Sequence, residues 1–170
     1  RCCVFTPSGW VFDLDGTIID TRKAVRRAYH MVGVDMPGDA WGRPWYEWCD
    51  AVSHARKCAV YPIAVQQCAV QLPLYELARL RRAPIITGAS TEAVMALQRH
   101  FELNVVLTEA SRKVKAAWLN LYDPGVYVDD DPDARAYIQE HTTWQAISPE
   151  DAIRLLSSVP SSSPRDRTLV

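Results

Sequence analysis

The sequence predicts an α/β protein, a parallel sheet covered by helices, and three observations lead there. Beyond Pro73, short apolar runs alternate with amphipathic stretches of helical period, the pattern of successive β-α units. The first apolar run, 10–14, ends among two carboxylates, Asp13 and Asp15, with Gly16 directly behind them. Charge at the carboxyl end of a strand sits where open α/β sheets bind ligands. With 170 residues the chain can bury one real core and carry a small insertion, but not two full domains.

In chain order, 10–14 reads as a short buried strand. The alternation then stops. Helix-like pieces over 22–32 and 45–57 are broken by Pro37-Gly38, Gly42, Pro44 and Pro62, so 21–71 reads as an insertion after the first strand. Residues 74–82 are expected to be helical, with Leu74, Leu77 and Ala78 on one face, and 84–87 a strand. Ser90 can cap a helix that runs to Phe101 with the stripe Val94, Leu97 and Phe101. A strand at 105–107 precedes a helix at 112–122, whose inward positions are expected to be Val114, Trp118 and Leu121. A strand follows at 126–128, and Asp131-Pro132 opens the next helix with a cap and a proline at its first position. Residues 143–147 suit an edge strand, and Ser148-Pro149 opens a last short helix. The organisation expected is a core of 1–20 and 72–156, a small helical cap of 21–71, and a Ser- and Pro-rich tail, 157–170, too poor in apolar residues to order itself.

Nineteen basic and twenty acidic residues nearly cancel, so no global field favours nucleic acid or an anionic membrane. No apolar run approaches a membrane span, and Arg1-Cys2-Cys3-Val4 lacks signal-peptide architecture, so a cytoplasmic protein with no membrane partner is expected. Five cysteines, Cys2, Cys3, Cys49, Cys58 and Cys68, show neither CxxC spacing nor paired histidines and read as reduced thiols.

Chemistry concentrates in four strand-end loops. In Val11-Phe12-Asp13-Leu14-Asp15-Gly16-Thr17, a glycine turn lets two acids converge on one bound group as nucleophile and proton carrier. That pairing suits phosphoryl transfer through an acyl-phosphate. A solvated acidic turn is the plainer reading, yet turn chemistry does not require an acid at both positions. Thr87-Gly88 ends the 84–87 strand, Lys113 and Lys115 stand near the start of the following helix, and Asp129-Asp130-Asp131 ends the 126–128 strand. Asp131 is explained as a helix cap, whereas Asp129 and Asp130 are not. Carboxylates gathered on an anionic substrate would repel it and one another, so a cation is implied, and oxygen-only ligands select a hard ion, Mg²⁺.

VFDLDGTIID, residues 11–20, resembles the first signature of the haloacid dehalogenase-like (HAD) hydrolase superfamily, and Asp129-Asp130 resembles its fourth motif. The resemblance implies a three-layer Rossmann-like parallel sheet with a cap inserted after the first strand. It implies Asp13 as nucleophile and Asp15 as general acid and base. Thr87 and Gly88 would hold phosphoryl oxygens, with Lys115, or alternatively Lys113, neutralising charge; Lys115 is favoured because Trp118 and Leu121 then fall behind it as a buried stripe. Asp13, Asp15 through its carbonyl, Asp130 and Asp129 would hold Mg²⁺.

The expected function is a Mg²⁺-dependent phosphomonoester phosphatase acting on a small phosphorylated metabolite or nucleotide. The rivals are a phosphatase for nucleic-acid ends, a phosphomutase, and a non-catalytic binding protein of the same fold. Within 21–71, Trp41, Trp45, Trp48, Tyr29, Tyr46 and Tyr61, with seven basic residues, suit either a mini-core or a clamp for a nucleotide; the mini-core is the preferred reading. His30, His54, His100 and His141 are expected on helices away from the four loops, without a role.

Overall fold

The computed structural model describes residues 9–41 and 43–158. Cys2, Cys3, the break expected at Gly42 and all but the first two residues of the expected tail lie outside the described residues.

Strand β1 (Trp10–Phe12) lies at the centre of a five-stranded sheet and enters it as an apolar triplet. A two-stranded antiparallel ribbon, β2 (Ile19–Asp20) with β3 (Val70–Gln71), brings the entry and exit of the insertion side by side. Between them run α1 (Arg22–Met31), a 3-10 turn over Trp45–Glu47, and α2 (Ala51–Cys68), which packs on α1. The rest of the chain continues as α3 (Tyr75–Leu80), β4 (Ile85–Ile86), α4 (Thr91–Gln98), β5 (Val105–Leu107), α5 (Arg112–Leu119), β6 (Val126–Val128), α6 (Pro132–His141), β7 (Gln145–Ile147) and α7 (Pro149–Ser157).

The sheet order is β5-β4-β1-β6-β7 with every pairing parallel, the α/β class the alternation predicts. The chain winds outward from β1 to β5, then returns to the other side of β1 at β6. That reversal opens a crevice at the carboxyl ends of β1, β4 and β6. Apolar side chains fill both faces. Phe12, Ile85 and Val128 pack with α1, α2, α3 and α4, while Val11, Ile86 and Tyr127 pack with Ala116, Leu119 and Ile138 of α5 and α6. Helix starts follow their caps: Ser90, Ser111, Asp131 and Ser148 each accept a backbone N–H of the first turn.

Several local expectations need correction. Helix α2 does not break at Pro62 but runs through it to Cys68. Proline removes one backbone donor, a loss that burial of Tyr61, Ala64 and Val65 against the core offsets. The helical piece expected from Trp45 is a single 3-10 turn, and α2 starts afresh at Asp50, whose carboxylate accepts the Ser53 N–H. On α5 the inward face is Lys115, Ala116 and Leu119, with Trp118 packed at its margin; Val114 is exposed, and Leu121 lies beyond the helix end, 74% exposed. Helix α7 reaches Ser157, the first residue of the expected tail.

Candidate active site

Backbone register assembles the centre of the site. Phe12 pairs with Val128, and the Asp13 N–H donates to the Val128 carbonyl at 2.8 Å, so Asp13 and Asp129 leave neighbouring strands side by side. Lys115 stands between them, 6% exposed, from the first turn of α5. Its Nζ donates to Asp13 Oδ1 at 2.7 Å, to Tyr127 Oη at 3.1 Å and to Asp129 Oδ2 at 3.4 Å. Tyr127 donates in turn to Asp129 Oδ2 at 2.5 Å, and the Asp131 N–H to Asp129 Oδ1 at 2.9 Å. Lys113, the alternative, is exposed.

Asp130 approaches from the β6 loop and explains the two residues after Asp15. Gly16 has φ +77°, and a Cβ there would collide with the Asp130 carboxylate, so glycine meets a backbone and a steric demand at once. The Thr17 hydroxyl accepts the Asp130 N–H at 3.1 Å and lies 3.4 Å from Asp130 Oδ1, to which it donates. Arg135, which no sequence motif marks, donates to the Asp129 and Asp130 carbonyls at 2.7 and 2.9 Å and braces the loop from α6. Asp131 turns away to cap α6 and pair with Arg112 at 2.9 Å.

Asp15 faces the other side. Its Oδ1 accepts from Thr21 Oγ1 at 2.6 Å, and it lines a cleft of ≈ 400 Å³. Gly88, Ala89 and Ser90 close one wall of that cleft, and Trp41, Trp45, His54, Lys57 and Tyr61 of the insertion close the other. Thr87 is buried at the end of β4; its hydroxyl accepts from the Ala89 N–H at 3.0 Å, which leaves its O–H to donate. His54 is therefore not remote, as expected, but in the cleft wall. Its ring stacks on Trp45 at 4.0 Å and pairs with the Tyr29 hydroxyl at 2.8 Å. His100 is in the turn after α4 rather than on a helix. The Tyr127, Thr21 and Thr17 hydroxyls are further site groups that the sequence motifs do not single out, and their short spacing from the acids is the signal that could find them.

Burial raises the Asp13 carboxyl well above its ordinary value, against the pull of Lys115 and with repulsion from Asp129 added. Burial likewise raises Asp15, opposed by the Thr21 hydroxyl and by Lys115 and Lys57. Asp130 is raised by burial and by Asp129. Burial pulls the Lys115 ammonium down, but Asp13 and Asp129 more than offset it and hold its pKa above the usual value. Lys115 is thus the ammonium hydrogen-bonded to the acidic cluster, while Arg22 and Lys57 act on Asp130 and Asp15 through space. Oxygens of Asp13, Asp129 and Asp130 can all lie within 4.8 Å of one another, an all-oxygen donor set for a hard divalent cation. The residues fit such an ion.

No family model matches the chain, and no curated protein sequence matches it. Solved structures do share its architecture. CbbY from Rhodobacter sphaeroides, in complex with phosphate, is similar over 84% of this chain and 86% of its own, at 17% identity and TM-score 0.62. A HAD-superfamily hydrolase from Geobacter sulfurreducens PCA covers 82% of this chain with 87% of its own, at 16% identity and TM-score 0.57. A hydrolase from Streptococcus pneumoniae TIGR4 covers 90% with all of its own length, at 10% identity and TM-score 0.55. The fold of this chain is the HAD-like hydrolase fold, a Rossmann-like parallel sheet between helical layers. At such identities it is the architecture that the likeness establishes.

Proposed function

We propose that this chain is a Mg²⁺-dependent phosphomonoester phosphatase working through an aspartyl-phosphate on Asp13. The observation that carries the reading is the buried Asp13–Lys115–Asp129 network beside Asp130, at the carboxyl edge of β1 and β6, with Asp15 opening into a cleft. An Asp13 oxygen attacks phosphorus as the bond to the leaving oxygen breaks, and Asp15 delivers its proton to that oxygen. The upward shift of Asp15 is the direction a proton donor needs. Water then attacks phosphorus, Asp15 takes its proton, and Asp13 and inorganic phosphate are released. Lys115, the Thr87 hydroxyl and the Gly88 region stabilise charge on the phosphoryl oxygens. Asp13, Asp129 and Asp130 side chains, with the Asp15 carbonyl, would hold Mg²⁺, which when bound orients the phosphoryl group and offsets its charge. The leaving group is a small metabolite or nucleotide that fits between the β4 loop and the aromatic wall. A cytoplasmic setting suits Cys49, Cys58 and Cys68, which form no disulfide among the described residues, and no described helix is long and apolar enough to cross a membrane.

The test is phosphate release from a panel of phosphomonoesters. Wild type should release inorganic phosphate with Mg²⁺ and stop with chelator, and Asp13→Asn should lose on the order of 10⁴-fold or more in kcat/KM while keeping its circular dichroism. Phosphatase activity surviving in Asp13→Asn would refute the assignment. Transfer to a second substrate site without release of phosphate would identify a mutase.

A further inference from the structure

Helix α1 starts at the site, since Thr21, its N-cap, bonds Asp15, and its exposed face carries Arg22, Lys23, Arg26 and Arg27 with no acid anywhere in the helix. None of these four cations forms an ion pair among the described residues, whereas Arg43, Arg79, Arg112 and Arg154 are paired. Like charges four apart, Arg22 with Arg26 and Lys23 with Arg27, destabilise a helix. An ordinary solvated face mixes signs to avoid that repulsion; this one keeps a single sign.

Three depressions join along the same face. The catalytic cleft shares Trp41 with a depression of ≈ 240 Å³ lined by Arg22, Lys23, Arg26 and Trp41. That one shares Lys23 and Arg26 with a third, of ≈ 470 Å³, which continues past Arg27 to His30, where Asp35 approaches the imidazole at 3.5 Å and ends the run of a single sign. The Arg22 guanidinium lies 5.9 Å from the centre of the Trp41 ring, which is 38% exposed. A positively charged track with an aromatic face at its head thus leads out of the cleft. From Arg22 to Arg27 it spans about 8 Å at the rise of an α-helix. At ~3.4 Å per nucleotide along a stacked strand, that length meets roughly two phosphates.

We propose that the track binds single-stranded nucleic acid, so that the phosphomonoester reaching Asp13 is the end of an oligonucleotide. The proposal rests on the phosphatase reading for the chemistry and replaces its small leaving group with the end of a strand. A sugar phosphate or mononucleotide is accommodated by the cleft alone and leaves Lys23, Arg26 and Arg27 without a counter-charge, whereas Arg22 already acts on Asp130. A strand supplies phosphates in series, and its bases can stack on Trp41, the combination that non-specific single-strand sites use. A bilayer is flat and would meet the outer rim of α1 but not the concave path past Trp41.

Binding is read first on Asp13→Asn, with a fluorescent deoxythymidine dodecamer bearing a terminal phosphate. Affinity should fall with salt with a log–log slope of about −1.4, two phosphates at ~0.7 each. The triple variant Lys23→Glu, Arg26→Glu, Arg27→Glu should lose about tenfold or more in affinity and most of that slope, and the corresponding glutamine triple should fall between. In the Asp13-intact chain, kcat/KM on the phosphorylated dodecamer relative to p-nitrophenyl phosphate should drop about tenfold in the same variant, with its melting temperature as the folding control. An unchanged ratio, an unchanged affinity, or tighter binding to phosphatidylserine vesicles than to the dodecamer would overturn the track. Binding through the track without phosphate release by wild type would overturn the phosphatase reading alone.

Discussion

The sheet rim, which reaches the cleft through Asp15, and the wall that the insertion gives that cleft are built on opposite terms. At the rim, Asp13, Asp129 and Lys115 are nearly buried and satisfy one another within a network anchored by β1 and β6. In the wall, Trp41 is partly exposed, with the exposed α1 cations outside the cleft beyond it, and Lys57 is held by its aromatic neighbours, 4.6 Å from the Tyr61 ring and 5.4 Å from Tyr29. The difference separates two tasks. Under the proposed chemistry, a group that must meet a reacting atom needs one geometry, which a strand end supplies; a surface that would receive a variable leaving group can be assembled from side chains of a packed helical insertion.

Breaking the rim should therefore cost far more than breaking the wall. Lys115→Met leaves Asp13 and Asp129 facing each other in the interior. Removing one partner of a buried charge pair costs about 3–5 kcal/mol, to be read as a drop in the urea midpoint without divalent cation. A loss under about 1 kcal/mol would mean that water already screens the pair. Thr17→Val keeps the volume but takes the hydroxyl from Asp130, and loss of such an outer support weakens metal binding by about 10–100-fold; calorimetric titration with Mg²⁺ gives the number directly.

The rim also has a pH signature of its own. Burial raises the folded Asp13 carboxyl above its ordinary 3.8, so the folded chain keeps a proton that the unfolded chain releases. Between 3.8 and the folded value, stability falls as pH rises. In chelator, wild type should thus lose stability relative to Asp13→Asn as pH climbs from about 4, and parallel melting curves for the two across that range would contradict the burial argument. The smallest effect is expected in the wall. His54→Ala removes the stack on Trp45 and the bond to Tyr29, at about 1 kcal/mol, and should raise KM several-fold with little change in kcat.

Legibility in the sequence follows the same division. Strands 105–107 and 126–128 and the caps at Ser90, Asp131 and Ser148 depend on neighbours in sequence, and all of them are legible in the order of the amino acids. The start expected at 112 is where α5 begins, and the Ser111 cap that fixes it is equally local. The buried stripe that favours Lys115 over Lys113 holds only in half: Trp118 does pack near it, but Leu121 lies outside the helix and Val114 points to solvent. The 3.6-residue period leaves a choice of face, and the neighbouring α6 makes it. Pro62 misleads because the cost of a proline is local, while the burial that offsets it comes from α4 and the sheet, far away in sequence.

Determined by the sequence alone are the α/β winding, the acids at the ends of β1 and β6, and the turn at Gly16 directly behind Asp13 and Asp15, because strand direction and turn conformation are set over a few adjacent residues. Decided only by the tertiary structure are the burial of Lys115 between two carboxylates, the bracing of Asp130 by Thr17, and the entry of His54 into the cleft. Each joins segments distant along the chain, and only the packing of helices on the sheet brings their side chains within reach.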